Sequence, residues 1–288
     1  MPTLRQRFLL LLPLAIVLVP FLIGPALFGF FASFTNYAPN QQNLRLVGLA
    51  NYAAVVNDSE FRAAYRNIAV FTLVAVPVEL GLGFLLAYLL RESFRGRGMV
   101  RVLLLVPWLV SPIANGVMWH YLLNSQVGLL NYLLAWFHLA MDSSPLGIKG
   151  LTLPTVIATD IWRLAPLVSF LVLPGLLAIP TDIWEQATLE GASVFQQIRA
   201  IAIPQVLPLL LTIALLLIGA TLGTFENVLM MTGGGPGTET ATPGLSSYQQ
   251  AFQINNWSLG AAGAWVIVAA ILVLGLTYLK LMRAAVDL

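Results

Sequence analysis

The chain has 288 residues, of which 59% are hydrophobic and only 9% are charged, and its formal net charge is +2. A soluble domain carries about 25% charged residues, so this composition excludes an ordinary soluble protein. It also excludes a disordered chain and a nucleic-acid-binding protein, since both need far more charge. We therefore expect much of the surface to face membrane lipid.

Six hydrophobic runs are each long enough to cross a bilayer, which takes about 20 mainly apolar residues. Their approximate bounds are 8–34, 67–90, 102–123, 151–177, 203–231 and 258–279. The first run follows Arg5 and Arg7 as in a signal peptide, but it is longer and has no small-residue cleavage pattern, so we expect a retained anchor. The sequence predicts an all-α polytopic membrane protein with six transmembrane helices in a single domain, 1–288.

Basic residues outside the spans decide the orientation. An even number of spans places both termini on one side, and most of the Lys and Arg residues, among them Arg91, Arg95 and Arg199, lie on that side. Because short cytoplasmic loops are enriched in these residues, we predict that both termini are cytoplasmic.

Prolines interrupt several predicted spans, notably Pro77, Pro107, Pro112 and Pro166. Proline bends or breaks a helix and frees backbone groups that neighbouring helices or water must satisfy. Such breaks are compatible with a translocation pathway. They are equally compatible with plain helix packing, because proline is common in membrane helices.

Four ionisable residues lie at membrane depth, where a charge is costly and needs a partner, a cavity or a function. Asp160 and Arg163 are three residues apart on one helical face, which predicts an internal ion pair. Glu226 lies in the outer part of its span, where it could meet water or a hydroxylated substrate. Glu79 is expected to pack against another helix.

Polar and aromatic residues in three spans form a candidate substrate pathway. Asn115 and Trp119 are four residues apart and share a helical face, and Trp162, Glu226 and Asn227 complete the set. Hydrogen-bonding side chains combined with aromatic faces suit a carbohydrate. The competing interpretation is that these tryptophans mark the bilayer interface, where tryptophan is enriched regardless of substrate.

The segment 180–202 between the fourth and fifth spans predicts two short helices joined at Gly191, which suits a left-handed helix end. Asp182 with Glu185, and Ser193 with Gln196, have the spacing of N-terminal capping boxes. Helices this short cannot cross a membrane and are marginal without a packing partner.

The same segment offers a surface on which that partner could dock. Its apolar side chains are Trp184, Leu189, Phe195 and Ile198. A protein partner is one interpretation, and an interfacial helix lying on lipid is the other.

Catalytic and metal-binding signatures are absent from the sequence. The run Gly233–Gly237 lacks the Gly-Lys-Ser/Thr of a phosphate-binding loop, so we expect an external turn and no nucleotide site. His120 and His138 have no third ligand at metal-site spacing, and there is no cysteine. We predict no catalytic residue, no metal and no cofactor bound by this chain.

The segment 180–202 resembles the cytoplasmic signature of the membrane subunits of binding-protein-dependent ABC importers, E-A-A, three residues, G, nine residues, I-x-L-P. The matching positions are Glu185, Gln186, Ala187, Gly191, Ile201, Ile203 and Pro204. Gln186 and Ile203 depart from the pattern but leave its glutamate, glycine and spacing intact. Further pieces resemble the carbohydrate branch, the maltose- and glycerol-phosphate-type permeases: Ser33–Tyr37, Val47–Tyr52, Arg95–Gly98, Gly128–Asn131 and Leu229–Gly237.

This resemblance implies the type I ABC importer permease fold, with 180–202 as the coupling helix that seats in an ATPase subunit. Glu185 would act by polar contact and Gly191 by allowing the turn, with Ala187, Ile201 and Pro204 completing the signature. The implied partners are a second homologous permease, two ATPase subunits that bind ATP and Mg, and an extracytoplasmic solute-binding protein. The implied location is the bacterial inner membrane.

Two other functions are compatible with the sequence. The charged residues within the spans suggest an ion- or proton-coupled secondary transporter, which is disfavoured because no inverted repeat is visible and the segment 180–202 would have no role. A membrane scaffold or enzyme subunit is the second alternative.

Overall fold

The structure is a computed structural model that describes residues 12, 16, 18–39, 43–138 and 141–286, with side chains up to residue 280. Arg5, Arg7 and the start of the first predicted span lie outside the described residues. The described residues are helical, apart from turns, loops and one isolated β-bridge between Thr35 and Leu46.

The described residues form twelve helices of six or more residues. They are α1 (Val19–Ser33), α2 (Ala50–Asn57), α3 (Ser59–Arg91), α4 (Arg97–Leu109), α5 (Pro112–Leu122), α6 (Leu129–Ala135), α7 (Thr152–Leu177), α8 (Thr181–Leu189), α9 (Val194–Leu222), α10 (Glu226–Met231), α11 (Pro243–Tyr248) and α12 (Trp257–Val286). Within the described residues, α3, α7, α9 and α12 are each long and apolar enough to cross a membrane. The polytopic helical fold predicted from composition is therefore confirmed.

The chain divides into two compact units. One contains the residues up to Arg62 together with Ser246–Ala270, and the other contains Ala63–Leu245 together with the residues from Ile271 onwards. The expectation of a single transmembrane domain over 1–288 stays a prediction, and each unit is described by itself.

The first unit brings two of the sequence pieces noted above into contact. Asn51 Nδ2 donates to the carbonyl oxygens of Ser33 and Thr35 at 2.9 and 2.7 Å, and the hydroxyl oxygens of Ser33 and Tyr52 lie 2.8 Å apart. Ser258 Oγ donates to the carbonyl oxygen of Tyr37 at 2.9 Å. These bonds give the polar residues of both pieces a structural role.

The second unit is built around α7, whose apolar window is 61% buried, against 22% for α9. Helix α3 approaches α7 so closely at Gly83 that a Cβ there would overlap the side chain of Val168. The core at this contact includes Phe84, Val168 and Val172, which are at most 6% exposed. Glycine thus permits the close helix packing that places the charged residues of α3 and α7 in one interior.

The predicted span 102–123 is not one straight helix. It consists of α4 and α5, which meet at an angle of 94°. Val110 is extended, and Ser111 caps α5 by accepting a hydrogen bond from the Ala114 backbone N–H, with Pro112 as the first helical residue. A serine cap followed by proline starts a new helix, which is why the apolar run breaks here.

The predicted span 203–231 is also corrected at both ends. Helix α9 begins at Val194 and ends at Leu222, and the rest of the apolar run forms the separate helix α10. Helix α9 continues through Pro204 because the turn before it, Ile198–Ala202, is wider than an α-helical turn. In this turn the Ile203 N–H donates to the carbonyl oxygen of Ile198. The wider turn accommodates the proline ring, which would otherwise clash with the preceding turn.

Candidate coupling segment and pathway residues

Helix α8 has a different start from the predicted one. Its N-terminal flanking residue is Pro180, so Asp182 lies inside the first turn and caps no backbone group. The extended backbone of Pro180 leads directly into Thr181 as the first helical residue. Asp182 instead places negative charge near the positive end of the helix dipole, which is favourable.

The predicted helix end at Gly191 is confirmed. Gly191 has a φ of +80°, and its N–H donates to the carbonyl oxygen of Thr188 at 3.0 Å. The Ala192 N–H donates to the carbonyl oxygen of Ala187 at 2.9 Å. This paired arrangement is the Schellman motif, which requires a left-handed residue and therefore favours glycine.

The predicted capping box at Ser193 is also present. The Gln196 N–H donates to Ser193 Oγ at 3.4 Å, and the Ser193 N–H donates to Gln196 Oε1 at 2.7 Å. Gln197 Nε2 donates to Thr188 Oγ1 and to the carbonyl oxygen of Ala192, both at 3.3 Å. Gln197 therefore ties the end of α8 to the start of α9 across the Gly191 turn.

The apolar face expected on this segment divides into a packed part and an exposed part. Trp184 and Ile198 pack against the core around α7, whereas Leu189 is 88% and Phe195 is 68% exposed. Glu185 is exposed as well. The segment therefore presents a carboxylate and two large apolar side chains on its outer side.

The other signature residues lie on the inner side of the segment and along α9. Ala187 and Ile201 are half-buried, and Ile201 packs against the same core as Trp184. Pro204 is exposed on α9. The signature residues therefore extend from α8, through the bend at Gly191, into the first turns of α9.

The candidate pathway residues form two contacts. Asn115 on α5 donates through Nδ2 to Asn227 Oδ1 on α10 at 2.9 Å, and both side chains are buried. Trp119 and Trp162 meet edge to face, with ring centroids 5.5 Å apart. Glu226 lies half-buried in the first turn of α10, where a negative charge also suits the helix dipole.

Two polar atoms of this set are buried without a hydrogen-bond partner among the described residues. They are Asn115 Oδ1, an acceptor, and Trp119 Nε1, a donor. Buried polar groups normally find partners, so each of these atoms is a candidate contact for a substrate group.

The charged residues in the spans also lie together. Arg163 Nη2 donates to Asp160 Oδ1 at 2.8 Å, and Asp160 is only 2% exposed. Glu79 on α3 is fully buried and lies within electrostatic range of both. Neither carboxylate oxygen of Glu79 has a hydrogen-bond partner among the described residues.

Sequence reasoning missed the residues that hold α5 against α10. A Cβ at Gly116 would lie 2.6 Å from the carbonyl oxygen of Asn227 and 2.8 Å from Met230 Cβ, so glycine permits this approach. His120 Nδ1 lies 2.8 Å from the carbonyl oxygen of Met231. A glycine next to Asn115 is the one signal that could have pointed to this contact.

The run Gly233–Gly237 is a turn, as predicted, and Gly233, Gly234 and Gly237 have positive φ. Side chains hold the turn in place. Asn67 Nδ2 donates to the carbonyl oxygens of Thr238 and Ala241 at 2.7 and 3.0 Å, and Glu239 Oε1 accepts from the Gly150 N–H at 2.6 Å.

Comparisons with known proteins identify the family of the chain. Residues 79–287 match the family described as the binding-protein-dependent transport system inner membrane component. The chain is 30% identical to the trehalose/maltose transport system permease protein MalF of Thermococcus litoralis over 282 residues, 97% of this chain and 94% of that protein. It is 27% identical to the trehalose transport system permease protein SugA of Mycobacterium tuberculosis over 282 residues, 98% of this chain and 90% of that protein.

A solved structure shares the fold. A chain in the crystal structure of a bacterial alginate ABC transporter, in complex with an alginate pentasaccharide-bound periplasmic protein, matches with a TM-score of 0.83. The sequence identity is 21%, and the match covers 96% of this chain and 94% of that one. These findings confirm the family predicted from the sequence and favour it over a secondary transporter or a scaffold. The chain therefore belongs to the binding-protein-dependent transport system inner membrane components, the permease subunits of ABC importers.

Proposed function

We propose that this permease subunit forms half of the translocation pathway for a sugar or related polyol and couples it to a separate ATPase. The observation that carries the coupling role is the ordered turn at Gly191, which presents Glu185, Leu189 and Phe195 outward while Trp184 and Ile201 pack on the core. The sugar class is supported by the relatives, which are named for trehalose and maltose.

The proposed complex contains a second homologous permease, two ATPase subunits and an extracytoplasmic solute-binding protein. ATP and Mg would be bound by the ATPase subunits, with no cofactor held by this chain. Both termini and the segment 180–202 would be cytoplasmic. The neighbouring alginate transporter was crystallised with a periplasmic binding protein, which supports a solute-binding partner.

The coupling role follows from the exposed side chains of the segment. Glu185 offers a charge and Leu189 and Phe195 offer apolar contact area to an ATPase cleft. Closure of the ATPase subunits would displace α8, and the bonds of Gln197 would carry that displacement into α9. The pathway would thereby switch from inward-facing to outward-facing.

The proposed substrate site lies at the buried contacts between α5, α7 and α10. Sugar hydroxyls would donate to Asn115 Oδ1 and accept from Trp119 Nε1, which would satisfy both buried atoms. The rings of Trp119 and Trp162 would cover the apolar C–H surface of the sugar. Asn227 would position Asn115 through their hydrogen bond, and Glu226 would lie at the edge of the site.

Replacing Glu185 by alanine or Gly191 by valine tests the coupling role. Loss of a charged contact costs about 1.5–3 kcal/mol, so we expect substrate-stimulated ATP hydrolysis and uptake to fall about tenfold or more in Glu185→Ala. In Gly191→Val the positive φ is strained and the turn is misplaced. Both activities are measured in the complete complex reconstituted in liposomes.

Glu190→Gln is the matched control for this experiment, since Glu190 is also exposed at the end of α8 but lies outside the signature. We expect it to retain near-normal coupling. Normal substrate-stimulated hydrolysis and uptake in both signature variants would disprove the coupling role.

Replacing Trp119 by phenylalanine tests the substrate site, because it removes the N–H donor and keeps an aromatic ring. An unpaired substrate hydroxyl costs about 1–3 kcal/mol, so we expect the apparent KM for uptake to rise about tenfold. Trp136→Phe is the control, since Trp136 is 69% exposed and outside the set. Unchanged KM and maximal rate in Trp119→Phe and in Asn227→Ala would remove these residues from the pathway.

A further inference from the structure

The last residue of α3 contacts the coupling segment directly. The guanidinium carbon of Arg91 lies 3.6 Å from the ring centroid of Trp184 on α8 and 4.2 Å from that of Tyr88. Tyr88 and Trp184 themselves meet edge to face, with centroids 6.1 Å apart. A guanidinium placed over two aromatic rings is a specific contact that neither charge nor apolar area alone reproduces.

The guanidinium is also held at its edges. Arg91 Nη2 donates to the Tyr88 hydroxyl at 3.2 Å, and Nε donates to Glu92 Oε1 at 3.0 Å. Its side chain is only 11% exposed. These bonds fix the plane of the guanidinium against the Trp184 ring, so the contact has a defined geometry.

The end of α3 that carries Arg91 is itself anchored. Arg97 Nη1 donates to the carbonyl oxygens of Arg91 and Glu92 at 3.3 and 3.2 Å, and Arg101 Nη2 donates to that of Leu90 at 3.4 Å. Cationic side chains that satisfy the last carbonyl groups stabilise a helix end. Arg91 therefore projects from a fixed point.

A cleft of about 270 Å³ lies beside the stack, and its lining includes Leu177, Thr181 and Glu185 together with Arg91 and Trp184. The contact between Arg91 and Trp184 borders this cleft and joins α8 to a helix that is distant in sequence.

We propose that Arg91 is a positioning residue that holds α8 on the end of α3, so that a displacement of α8 also moves α3. The inference rests on the proposed function, in which α8 receives the motion of an ATPase. Helix α3 packs on α7 at Gly83 and carries Glu79 beside the Asp160–Arg163 pair. A displacement of α3 therefore reaches the charged centre of the bundle by a route separate from α9.

The experiment uses the complete complex in liposomes and measures sugar uptake per ATP hydrolysed, together with the thermal unfolding midpoint. In Arg91→Gln and in Trp184→Leu, we expect uptake per ATP to fall about fivefold, a factor within the range of cation–π contacts. The midpoint of Arg91→Gln should stay close to that of the wild type, whereas Trp184→Leu also loses packing against the core and should have a lower midpoint. Trp184→Phe keeps an aromatic face and is expected to retain most of the ratio. Arg91→Lys keeps the charge but loses the planar stack, so an intermediate ratio is expected.

Two comparisons make the result specific to this contact. Arg95→Gln is the matched control, because Arg95 is an exposed arginine in the loop that follows Arg91. We expect it to behave as the wild type. The double variant Arg91→Gln/Trp184→Leu should lose no more than the stronger single variant, since both changes break one contact.

A wild-type ratio in both Arg91→Gln and Trp184→Leu overturns the inference. Additive losses in the double variant, or a ratio that falls only in step with the unfolding midpoint, overturn it as well. If the Arg91 variants retain coupling while Glu185→Ala and Gly191→Val lose it, only this inference fails. If the signature variants retain coupling too, the proposed coupling function fails.

Discussion

Replacing Arg163 by leucine is expected to lower the free energy of unfolding by about 3–5 kcal/mol, the usual cost of removing one partner of a buried ion pair. Asp160 is 2% exposed and would lose its partner, and the neighbouring Glu79 is already buried without one. The variant should show a lower thermal midpoint in detergent and less assembled complex in the membrane. Both are measured on purified and membrane-bound protein.

Neutral isosteres separate charge from packing in this prediction. Adding Asp160→Asn and Glu79→Gln to Arg163→Leu removes the two unpaired acidic groups and should recover much of the lost stability. Lys149→Gln is the control for loss of a positive charge, because Lys149 is exposed. A single Arg163→Leu variant as stable as the wild type would contradict the interpretation that Arg163 neutralises this interior.

Replacing Gly116 by alanine is expected to have the next largest effect. The added Cβ would lie 2.6 Å from the carbonyl oxygen of Asn227 and 2.8 Å from Met230 Cβ, and neither atom belongs to the mobile end of a side chain. Helix α10 must therefore move, which also strains the bond between Asn115 and Asn227. Overpacking of this kind costs about 1–3 kcal/mol, and we expect a lower thermal midpoint together with a marked loss of uptake.

The control for this substitution is Gly81→Ala. Gly81 lies in α3, and a Cβ there would meet nothing within 4 Å. Alanine is the better helix former, so we expect unchanged or slightly raised stability. If Gly116→Ala behaves like Gly81→Ala in both measurements, the close approach of α5 to α10 is not required for function.

The sequence predicted the apolar parts of α3, α7 and α12 because each is a long apolar run with no strong internal cap. Helix α3 itself begins at Ser59, eight residues before the predicted span. It failed at residues 110–111, where hydropathy continues but the chain turns by 94°. Hydropathy reports depth in a membrane and not direction. Only the local pattern of Ser111 followed by Pro112 indicates that a new helix begins here and that the chain changes direction.

The segment 180–202 shows the same division. Gly191 and the Ser193–Gln196 box were predictable because the bonds they make span five residues or fewer. The continuity of α9 through Pro204 was not predictable from the sequence, because it depends on a wider turn that no residue type specifies. The predicted cap at Asp182 was wrong. An acidic residue near a helix start is favourable both as a cap and inside the first turn, and the sequence pattern does not separate the two positions.

The candidate site was predictable only in part. Asn115 and Trp119 share a face by helical spacing, but their contacts with Asn227 and Trp162 join helices far apart in sequence. Helical spacing carries no information on which neighbour a face will meet. Contacts between distant helices also define the roles of Gly116, Arg91 and Trp184. The sequence pattern alone could therefore not assign these roles.

The continuity of α9 has a mechanical consequence. A helix of 29 residues is about 43 Å long at 1.5 Å per residue, which exceeds the hydrocarbon thickness of about 30 Å. The capping box of Ser193 and Gln196 therefore stands at one end of a helix that is long enough to reach from one face of a bilayer to the other. A rigid helix that tilts about a point near the bilayer midplane moves its two ends in opposite directions. Displacing the capped end towards the centre of the protein would then move the far end away from it.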